Sequence, residues 1–403
     1  MNHPASPRLY FIDWVRIIAF MLLIVYHVGM YYVTDDWHVK SPNTSNAIEP
    51  FMLMSSPWRL GLLFLISGVA SSFMLAKIDA GRFMRQRSVR LLVPLVFGML
   101  VIVPPQPYFE VIEKVAYQGS YLDFMRLYVS GYGDFCRKSD CLDLPTWNHL
   151  WFVAYLWVYT LLLGSLVLML GARFDKLSQK VVSFLTGWKL IVLPVAVLGT
   201  VRILLLTAFP TTHDLVNDWY NHAQYVPLFL LGAMLARQAS VWQRMDAVRW
   251  TALALAFSCW GAMVIFYALP ETVSTHPDFH MWRMLMRVVY ALCAWSAMIA
   301  ACGFAHRHLN ADSPARRYLT EAVFPVYILH QSLIVSMAHV IKPSKLAPIP
   351  EGLILMGLTL CISLGIFEVV RRVTVLRPLF GLGKAKMPPD SHRTALVPTA
   401  SPA

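Results

Sequence analysis

Apolar stretches long enough to cross a lipid bilayer recur along almost the whole chain. A membrane-spanning helix needs about 20 consecutive apolar residues, and ten stretches of this kind are present. They lie at about 10–33, 52–76, 91–107, 148–171, 190–209, 222–237, 250–269, 284–304, 320–341 and 352–374. The period-two alternation of an outer-membrane strand does not occur in them. The sequence therefore predicts an all-α, polytopic integral membrane protein with about ten transmembrane helices.

The composition excludes the other broad classes of protein. Of the 403 residues, 57% are hydrophobic and 14% are charged, whereas an average soluble domain has about 25% charged residues. So few charged side chains cannot cover a surface that faces water. A soluble globular protein, a disordered protein and a disulfide scaffold are therefore excluded.

The positive charges indicate an orientation in the membrane. Lys and Arg gather on the cytoplasmic side of membrane proteins. If the N-terminus lies inside, the inner segments hold 22 of the 34 Lys and Arg residues and the outer segments hold ten. This bias predicts that both termini are cytoplasmic, and it accounts for the net charge of +12 without nucleic-acid binding. We expect a single transmembrane domain over 1–383, with a core at about 10–375, and a disordered cytoplasmic tail at 384–403.

The cysteines fall into two groups. Cys136 and Cys141 lie in the long outer loop at 108–147, where an oxidising compartment allows a disulfide; two free thiols are the alternative. The other four lie in apolar stretches and are expected to pack as small hydrophobic residues: Cys259, Cys293, Cys302 and Cys361. The Cys–His spacing of a structural zinc site is absent, so no metal site is predicted.

The first apolar stretch carries a polar stripe made of Asp13, Arg16 and His27. A charge near the bilayer centre costs about 2.5–3.5 kcal/mol on insertion scales. Arg16 and His27 are eleven residues apart, so they share a helix face but are separated by about 16 Å along the axis. The stripe must therefore face protein or water rather than lipid. Whatever Arg16 and His27 act on must span the distance between them. The alternative is an Asp13–Arg16 pair that neutralises itself and a His27 that is hydrogen-bonded to a neighbour.

Further polar residues lie within or beside other apolar stretches. His149 and His222 are placed near the outer ends of the fourth and sixth stretches, Arg202 lies in the fifth and His330 in the ninth. Each of them alone fits a structural role, whereas histidines that converge on one cavity would indicate a site. Small residues at Ser67-Gly68 predict close helix packing in the second stretch.

A basic segment, residues 82–90, enters the third apolar stretch with Arg85, Arg87 and Arg90. The planar guanidinium group of an arginine can donate two hydrogen bonds to a phosphate group at once. A soluble phosphorylated donor is therefore one candidate ligand. The alternative is plain cytoplasmic anchoring with contacts to lipid headgroups. The P-loop, G-x-G-x-x-G and H-E-x-x-H motifs are absent, which argues against ATP-driven transport, dinucleotide chemistry and zinc proteolysis.

Five short segments occur in a characteristic order. They are Arg16-x10-His27, FLISG at 64–68, Arg87-x-x-Arg90, HLWFVAYL at 149–156 and FPVYILHQ at 324–331. Together they resemble the membrane-bound acyltransferase-3 family over about 10–375. The resemblance implies transfer of an acyl group, of the acetyl or succinyl class, from cytoplasmic acyl-CoA to an extracytoplasmic carbohydrate or lipid-linked acceptor. It also implies the bacterial inner membrane, contact with membrane lipids and no tightly bound cofactor. A periplasmic glucan is the first candidate acceptor.

The resemblance assigns roles to individual residues. Arg16 and His27 match the catalytic signature, and Arg87 and Arg90 match a motif associated with donor binding, although Arg85 repeats that spacing with Arg82. His27 is then the general base for the acceptor hydroxyl, or it forms a covalent acyl intermediate, while Asp13 pairs with Arg16. The candidate donors for the developing oxyanion are Arg202, Tyr327 and His330.

One departure and two alternatives stay open at this point. The Ser-Tyr-Pro usual in the ninth helix of the family reads Val323-Phe324-Pro325 here, which leaves the role of that helix open. A multispan transporter or exporter of a small or lipid-linked substrate is one competing interpretation, although the inverted repeats typical of such proteins are not evident. A non-catalytic membrane scaffold is the other.

Overall fold

The computed structural model describes residues 9–138, 140–274, 276 and 279–383. The predicted tail at 384–403 lies outside the described residues. Helices dominate the described part, and the strands seen there are β1, Cys136–Arg137, and β2, Asp140–Cys141, which pair antiparallel. The predicted all-α class is confirmed.

Seventeen α-helices follow one another in the described part of the chain. They are α1 Tyr10–Tyr32, α2 Glu49–Ser55, α3 Arg59–Leu75, α4 Ala80–Phe97, α5 Pro105–Val115, α6 Tyr121–Ser130, α7 Trp151–Leu170, α8 Ala172–Phe184, α9 Lys189–Leu205, α10 Trp219–Leu235, α11 Ala239–Ala247, α12 Arg249–Tyr267, α13 Glu271–Ser274, α14 Phe279–His308, α15 Pro314–Ile341, α16 Pro348–Arg372 and α17 Leu376–Leu379. A π-helical turn at Gly98–Ile102 follows α4 and leads into α5. Pro94 lies inside α4.

Eight stretches of the described residues are long and apolar enough to cross a membrane, or nine if the bent pair α8 and α9 forms one span. The eight are Tyr10–Tyr32, Asn46–Leu75, Ala80–Val115, Asn148–Leu170, Arg249–Tyr267, Phe279–His308, Pro314–Ser344 and Pro348–Arg372. The prediction of about ten spans is close to this number. The helices α9 and α10 have 17 residues each, about 26 Å of helix, which falls short of a hydrocarbon core of about 30 Å.

The short helix α10 nevertheless packs against α3 with its backbone in direct contact. A Cβ atom at Gly68 would lie 1.9 Å from the carbonyl oxygen of Phe229, and a Cβ atom at Gly232 would lie 1.9 Å from the carbonyl oxygen of Leu65. The two helices approach this closely because neither glycine has a side chain. The close packing predicted at Ser67-Gly68 is confirmed.

The helix α1 lies in the core of the bundle and runs parallel to α15. Asp13 pairs with Arg316 near the start of both helices, and His27 contacts His330 further along them. The sequence separation is 303 in both contacts, so the two helices advance in step. We call the end where α1 begins the Arg16 end, and the end where it finishes, at Tyr32, the His38 end.

Candidate active site

A cavity of about 730 Å³ lies between α1, α3, α7, α9, α10, α14 and α15. Cavities of several hundred Å³ hold small substrates in proteins. Four of the residues predicted from sequence line it: His27, His149, Arg202 and Tyr327. The described residues of the lining include four histidines and two arginines, and no aspartate or glutamate.

His27 and His330 form a hydrogen-bonded pair across α1 and α15. Nδ1 of His27 lies 2.8 Å from Nε2 of His330, and Nδ1 of His330 lies 2.5 Å from the carbonyl oxygen of Tyr327. Because a carbonyl only accepts hydrogen bonds, the proton of His330 is on Nδ1 and its Nε2 is an acceptor. His27 therefore donates from Nδ1, which leaves its Nε2 with a lone pair beside the cavity.

His149 joins the same cluster but has no nitrogen to spare. Its Nε2 donates to the carbonyl oxygen of Ile328 at 3.1 Å, and its Nδ1 accepts from Gln106 at 3.2 Å. Its ring meets that of His330 edge-on, with the centroids 5.1 Å apart. Of the three histidines whose convergence the sequence left open, His149 and His330 thus meet beside His27, and His149 is held as a fixed part of the wall.

His222 lies outside the cavity lining. Its Nδ1 is 2.8 Å from the hydroxyl of Tyr159, and its Nε2 is 2.9 Å from the carbonyl oxygen of Leu215. Its ring also stacks on Tyr155 at 4.5 Å. These contacts attach the start of α10 to α7, so the geometry gives His222 a structural place rather than a substrate contact.

A histidine–carboxylate pair that the sequence pattern does not reveal borders the cavity. Nδ1 of His38 lies 2.5 Å from one oxygen of Glu110, and Lys114 donates to the other oxygen at 2.8 Å. The amide nitrogen of Gln331 donates to Nε2 of His38 at 3.2 Å and to Oε1 of Gln106 at 3.0 Å. This network connects the His38 pair to the wall around His149. The sequence signals were the i,i+4 spacing of Glu110 and Lys114 and a glutamine next to His330.

Two arginines enter the cavity stacked on tyrosine rings. Cζ of Arg202 lies 3.4 Å from the ring centroid of Tyr290, and its guanidinium donates to the hydroxyl of Tyr220. Cζ of Arg59, the first residue of α3, lies 3.3 Å from the ring centroid of Tyr26. From its position in the sequence, Arg59 is only one of the ten Lys and Arg residues of the outer segments. The structure buries it in the cavity wall, with 5% of the residue exposed.

His213 completes the set of histidines in the lining. It lies in the loop between α9 and α10, where its ring stacks on Trp151 with the centroids 4.5 Å apart. Burial lowers the pKa of His213 below its ordinary value, and the charge of Asp218 opposes that shift. A lowered pKa keeps this imidazole neutral at pH 7.

At the Arg16 end, Asp13 joins two arginines. Nη2 of Arg16 lies 3.2 Å from one oxygen of Asp13, as the sequence predicted for this pair, and Arg316 pairs with the other oxygen. Arg316 is 1% exposed and also pairs with Asp312. Hydrogen bonds from Arg317 and then from Arg316 hold the pKa of Asp312 well below its ordinary value. Arg316 was missed because 303 residues separate it from Asp13.

The arginines predicted to bind the donor lie on α4. The positive charges of Arg90 and Arg16 both act on Arg87, so these three arginines share the Arg16 end. Nε of Arg90 donates to the carbonyl oxygen of Gly381 at 2.9 Å. Arg85 is exposed, and no contact that the structure describes brings it to the same group.

The cysteines follow their predicted locations with one exception. The sulfur atoms of Cys136 and Cys141 lie 2.02 Å apart in the β1–β2 hairpin, and neither residue lines the cavity. Cys259, Cys293 and Cys302 are buried, whereas Cys361 is exposed on α16. The expectation that Cys361 packs in the interior was wrong, because this helix presents one apolar face outward, as a span in contact with lipid does.

The fold and the site together define a polytopic membrane protein with a histidine-lined cavity and a separate arginine cluster. The acyltransferase-3 family model, described as an acyltransferase domain, matches residues 9–368, and the chain belongs to this family of membrane acyltransferases. The family predicted from the order of the motifs is confirmed.

Among curated proteins, the chain is similar to glucans biosynthesis protein C. The proteins of that name from Salmonella paratyphi B and Salmonella heidelberg are each 24% identical to the chain over 405 residues, which covers 97% of this chain and 99% of the relative. The order of the sequence motifs also resembles the branch of the family that contains these relatives. No solved structure matches the chain.

Proposed function

We propose that the protein is an O-acyltransferase of the bacterial inner membrane. It takes an acyl group of the acetyl or succinyl class from cytoplasmic acyl-CoA and transfers it to a hydroxyl of an extracytoplasmic glycan. A periplasmic glucan is the first candidate acceptor, which the similarity to glucans biosynthesis protein C supports. The observation that carries the proposal is the lone pair on Nε2 of His27 at the wall of the cavity.

His27 acts as the general base in this proposal. Its Nε2 takes the proton of the acceptor hydroxyl while the hydroxyl oxygen attacks the thioester carbonyl. The new C–O bond forms, the C–S bond breaks, and the thiolate of CoA leaves and takes the proton back from His27. The hydrogen bond to His330 stabilises the imidazolium that exists between the two transfers. Attack by Nε2 itself, to form an acyl-histidine, remains the alternative course.

Arg202 is the strongest of the three candidates for the developing oxyanion. The hydroxyl of Tyr327 already donates to the carbonyl oxygen of His149 at 2.5 Å, and the proton of His330 is used at Tyr327. Nε of Arg202 is buried without a hydrogen-bond partner in the described structure, so it has a donor left. A fixed donor aimed at the oxyanion lowers the barrier to acyl transfer.

The Arg16 end is the proposed binding place for the donor. Three arginines, Arg16, Arg87 and Arg90, offer forked donors for the phosphates of CoA. Because Arg16 and His27 are about 16 Å apart along α1, the pantetheine arm would carry the thioester from one to the other. Asp13 positions Arg16 in this arrangement.

The first test removes the base. We expect His27→Ala to lower acyl transfer by about 10²- to 10⁴-fold, the usual contribution of general base catalysis, while the variant inserts and folds normally. The assay uses purified protein in lipid nanodiscs with acetyl-CoA or succinyl-CoA and a glucan, and mass spectrometry of the product.

The matched control is His308→Ala, which removes an exposed histidine at the last turn of α14 and should keep full activity. Full transfer by the His27→Ala protein would exclude His27 from the chemistry.

Accumulation of a substrate in sealed vesicles without any acyl-CoA turnover would instead favour a transporter. Mass spectrometry of cell-envelope glycans from wild-type and deletion strains identifies the acceptor.

A further inference from the structure

The cavity contains a buried cation for which the proposed chemistry has no use. Only 5% of Arg59 is exposed, it lines the cavity, and its Nε and Nη1 have no hydrogen-bond partner within the described structure. A buried charge is costly unless it is paired. An arginine in this condition is therefore prepared for a partner that comes from outside the chain.

The position of Arg59 fixes where that partner would bind. Its guanidinium covers the face of Tyr26 at 3.3 Å, and the rings of Tyr26 and His27 are 5.9 Å apart. The sum of these distances places the guanidinium at most about 9 Å from the His27 ring. The stacking occupies one face of the guanidinium and leaves the N–H groups at its edge able to bind an anion in fork geometry.

The charge of the surrounding wall favours an anionic partner. The described lining has no aspartate or glutamate, and Arg202 adds a second guanidinium with an unpartnered Nε. A low-dielectric wall with positive charges of this kind strengthens their attraction for an anion. A neutral sugar ring or an acetyl group would leave these charges unpaired.

We propose that Arg59 forms an anion-binding subsite that takes a carboxylate or phosphate group of the substrate beside His27. This inference rests on the proposed acyl transfer. The anion has two possible sources: a second carboxylate at the end of the acyl chain, as in a succinyl group, or an anionic group on the acceptor. A succinyl carboxylate is only a few bonds from its thioester carbonyl, so both groups fit within the distance that separates Arg59 from His27.

The direct test measures binding in the absence of turnover. The probes are succinate, inorganic phosphate and the uncharged succinamide, added to the full-length protein in nanodiscs and followed by thermal shift and calorimetry. We expect succinate or phosphate, but not succinamide, to bind the wild type. Arg59→Gln should weaken that binding by about 10- to 100-fold, the value of a hydrogen bond to a charged group.

Two further variants keep this test decisive. Arg126→Gln removes an arginine whose side chain is 81% exposed and should bind as the wild type does. Arg59→Lys keeps the charge but loses the planar fork, so it should bind the anion with intermediate affinity even if Arg59→Gln does not fold. Equal anion affinity in the wild type and both Arg59 variants, or equal affinity for succinate and succinamide, would overturn the subsite.

The activity assay then identifies the source of the anion. A loss in kcat/KM confined to succinyl-CoA, with acetyl-CoA unaffected, assigns the carboxylate to the acyl chain. A loss with both donors that appears only with an anionic acceptor assigns it to the acceptor. An equal fall in kcat with every charged and neutral substrate would mean that Arg59 serves the transition state, and it would overturn the subsite. Anion binding that depends on Arg59 without any turnover would keep the subsite and refute acyl transfer.

Discussion

At the residue scale, a backbone carbonyl in α15 determines where the proton on His27 lies. The carbonyl of Tyr327 accepts from His330, and His330 in turn accepts from His27. This relay uses two neutral imidazoles, so no buried charge is needed to hold the base ready. His330 is therefore a positioning residue, since it touches His27 and not the cavity that His27 lines.

Two substitutions at His330 separate positioning from packing. Leucine at this position fills the space but accepts nothing from His27. We therefore expect His330→Leu to lower kcat by about 10- to 100-fold, which is less than the 10²- to 10⁴-fold contribution of the base itself. Glutamine carries both an acceptor and a donor, so His330→Gln should recover much of the activity. The measurements are kcat and its pH profile, and equal activity of the two variants would contradict the positioning role.

The sequence predicted the residues that share one helix more completely than those that meet across helices. Asp13, Arg16 and His27 were found because helical periodicity alone places them in one stripe. Arg59 and the His38–Glu110 pair were missed because their importance depends on tertiary contacts between residues far apart in the chain. From sequence alone, a charged residue at the start of an apolar stretch is interpreted as a membrane anchor. Only the structure shows whether its side chain is buried inside the protein.

At the element scale, the crossing of α3 and α10 is a tight joint between two helix backbones. Gly68 and Gly232 meet the facing backbone, and no flexible side chain is available there to yield. The joint matters for the site because Arg59 begins α3, and α10 carries Tyr220, the hydroxyl partner of Arg202. Separation of these helices would move both arginines of the cavity.

A single methyl group should open this joint. Gly68→Ala places a Cβ atom 1.9 Å from a backbone oxygen, and overpacking of a core usually costs about 1–3 kcal/mol. We expect a lower melting temperature in nanodiscs together with reduced activity. The matched control is Gly261→Ala in α12, where no atom lies within 4 Å of the new Cβ; a melting temperature as low as that of Gly68→Ala would refute the packing explanation.

The number of elements was harder to predict than their type. Apolar length gave the helical class, because a backbone inside a bilayer must satisfy its own hydrogen bonds. Length did not show that α9 and α10, with 17 residues each, are almost one turn shorter than a full crossing of about 20 residues, or that α8 and α9 meet at 108°. Tertiary packing determines where these helices end and bend, and the hydrophobic pattern of the sequence does not contain that information.

At the scale of the whole molecule, the orientation in the membrane remains a prediction from the distribution of Lys and Arg. It places the Arg16 end in the cytoplasm and the His38 end outside. Two exposed positions report the two sides: Arg82, in the first turn of α4, and Leu122, which is 72% exposed in α6.

Labelling with a membrane-impermeant maleimide tests this orientation. In a Cys361→Ser background, we expect intact spheroplasts to label Leu122→Cys at once and Arg82→Cys only after the membrane is opened. The unsubstituted background protein is the control for labelling of the remaining cysteines. The reverse pattern would place the proposed donor site on the outside and exclude a cytoplasmic acyl-CoA.

The equal spacing of the two contacts between α1 and α15 limits how such a protein can change over time. Asp13–Arg316 and His27–His330 are separated by the same number of residues, so each helix has fourteen steps between its contacts, about 21 Å. A deletion or insertion of one residue within either segment would turn one imidazole by about 100° away from the other. The two segments can therefore gain or lose residues only together, although some three hundred positions of chain lie between them.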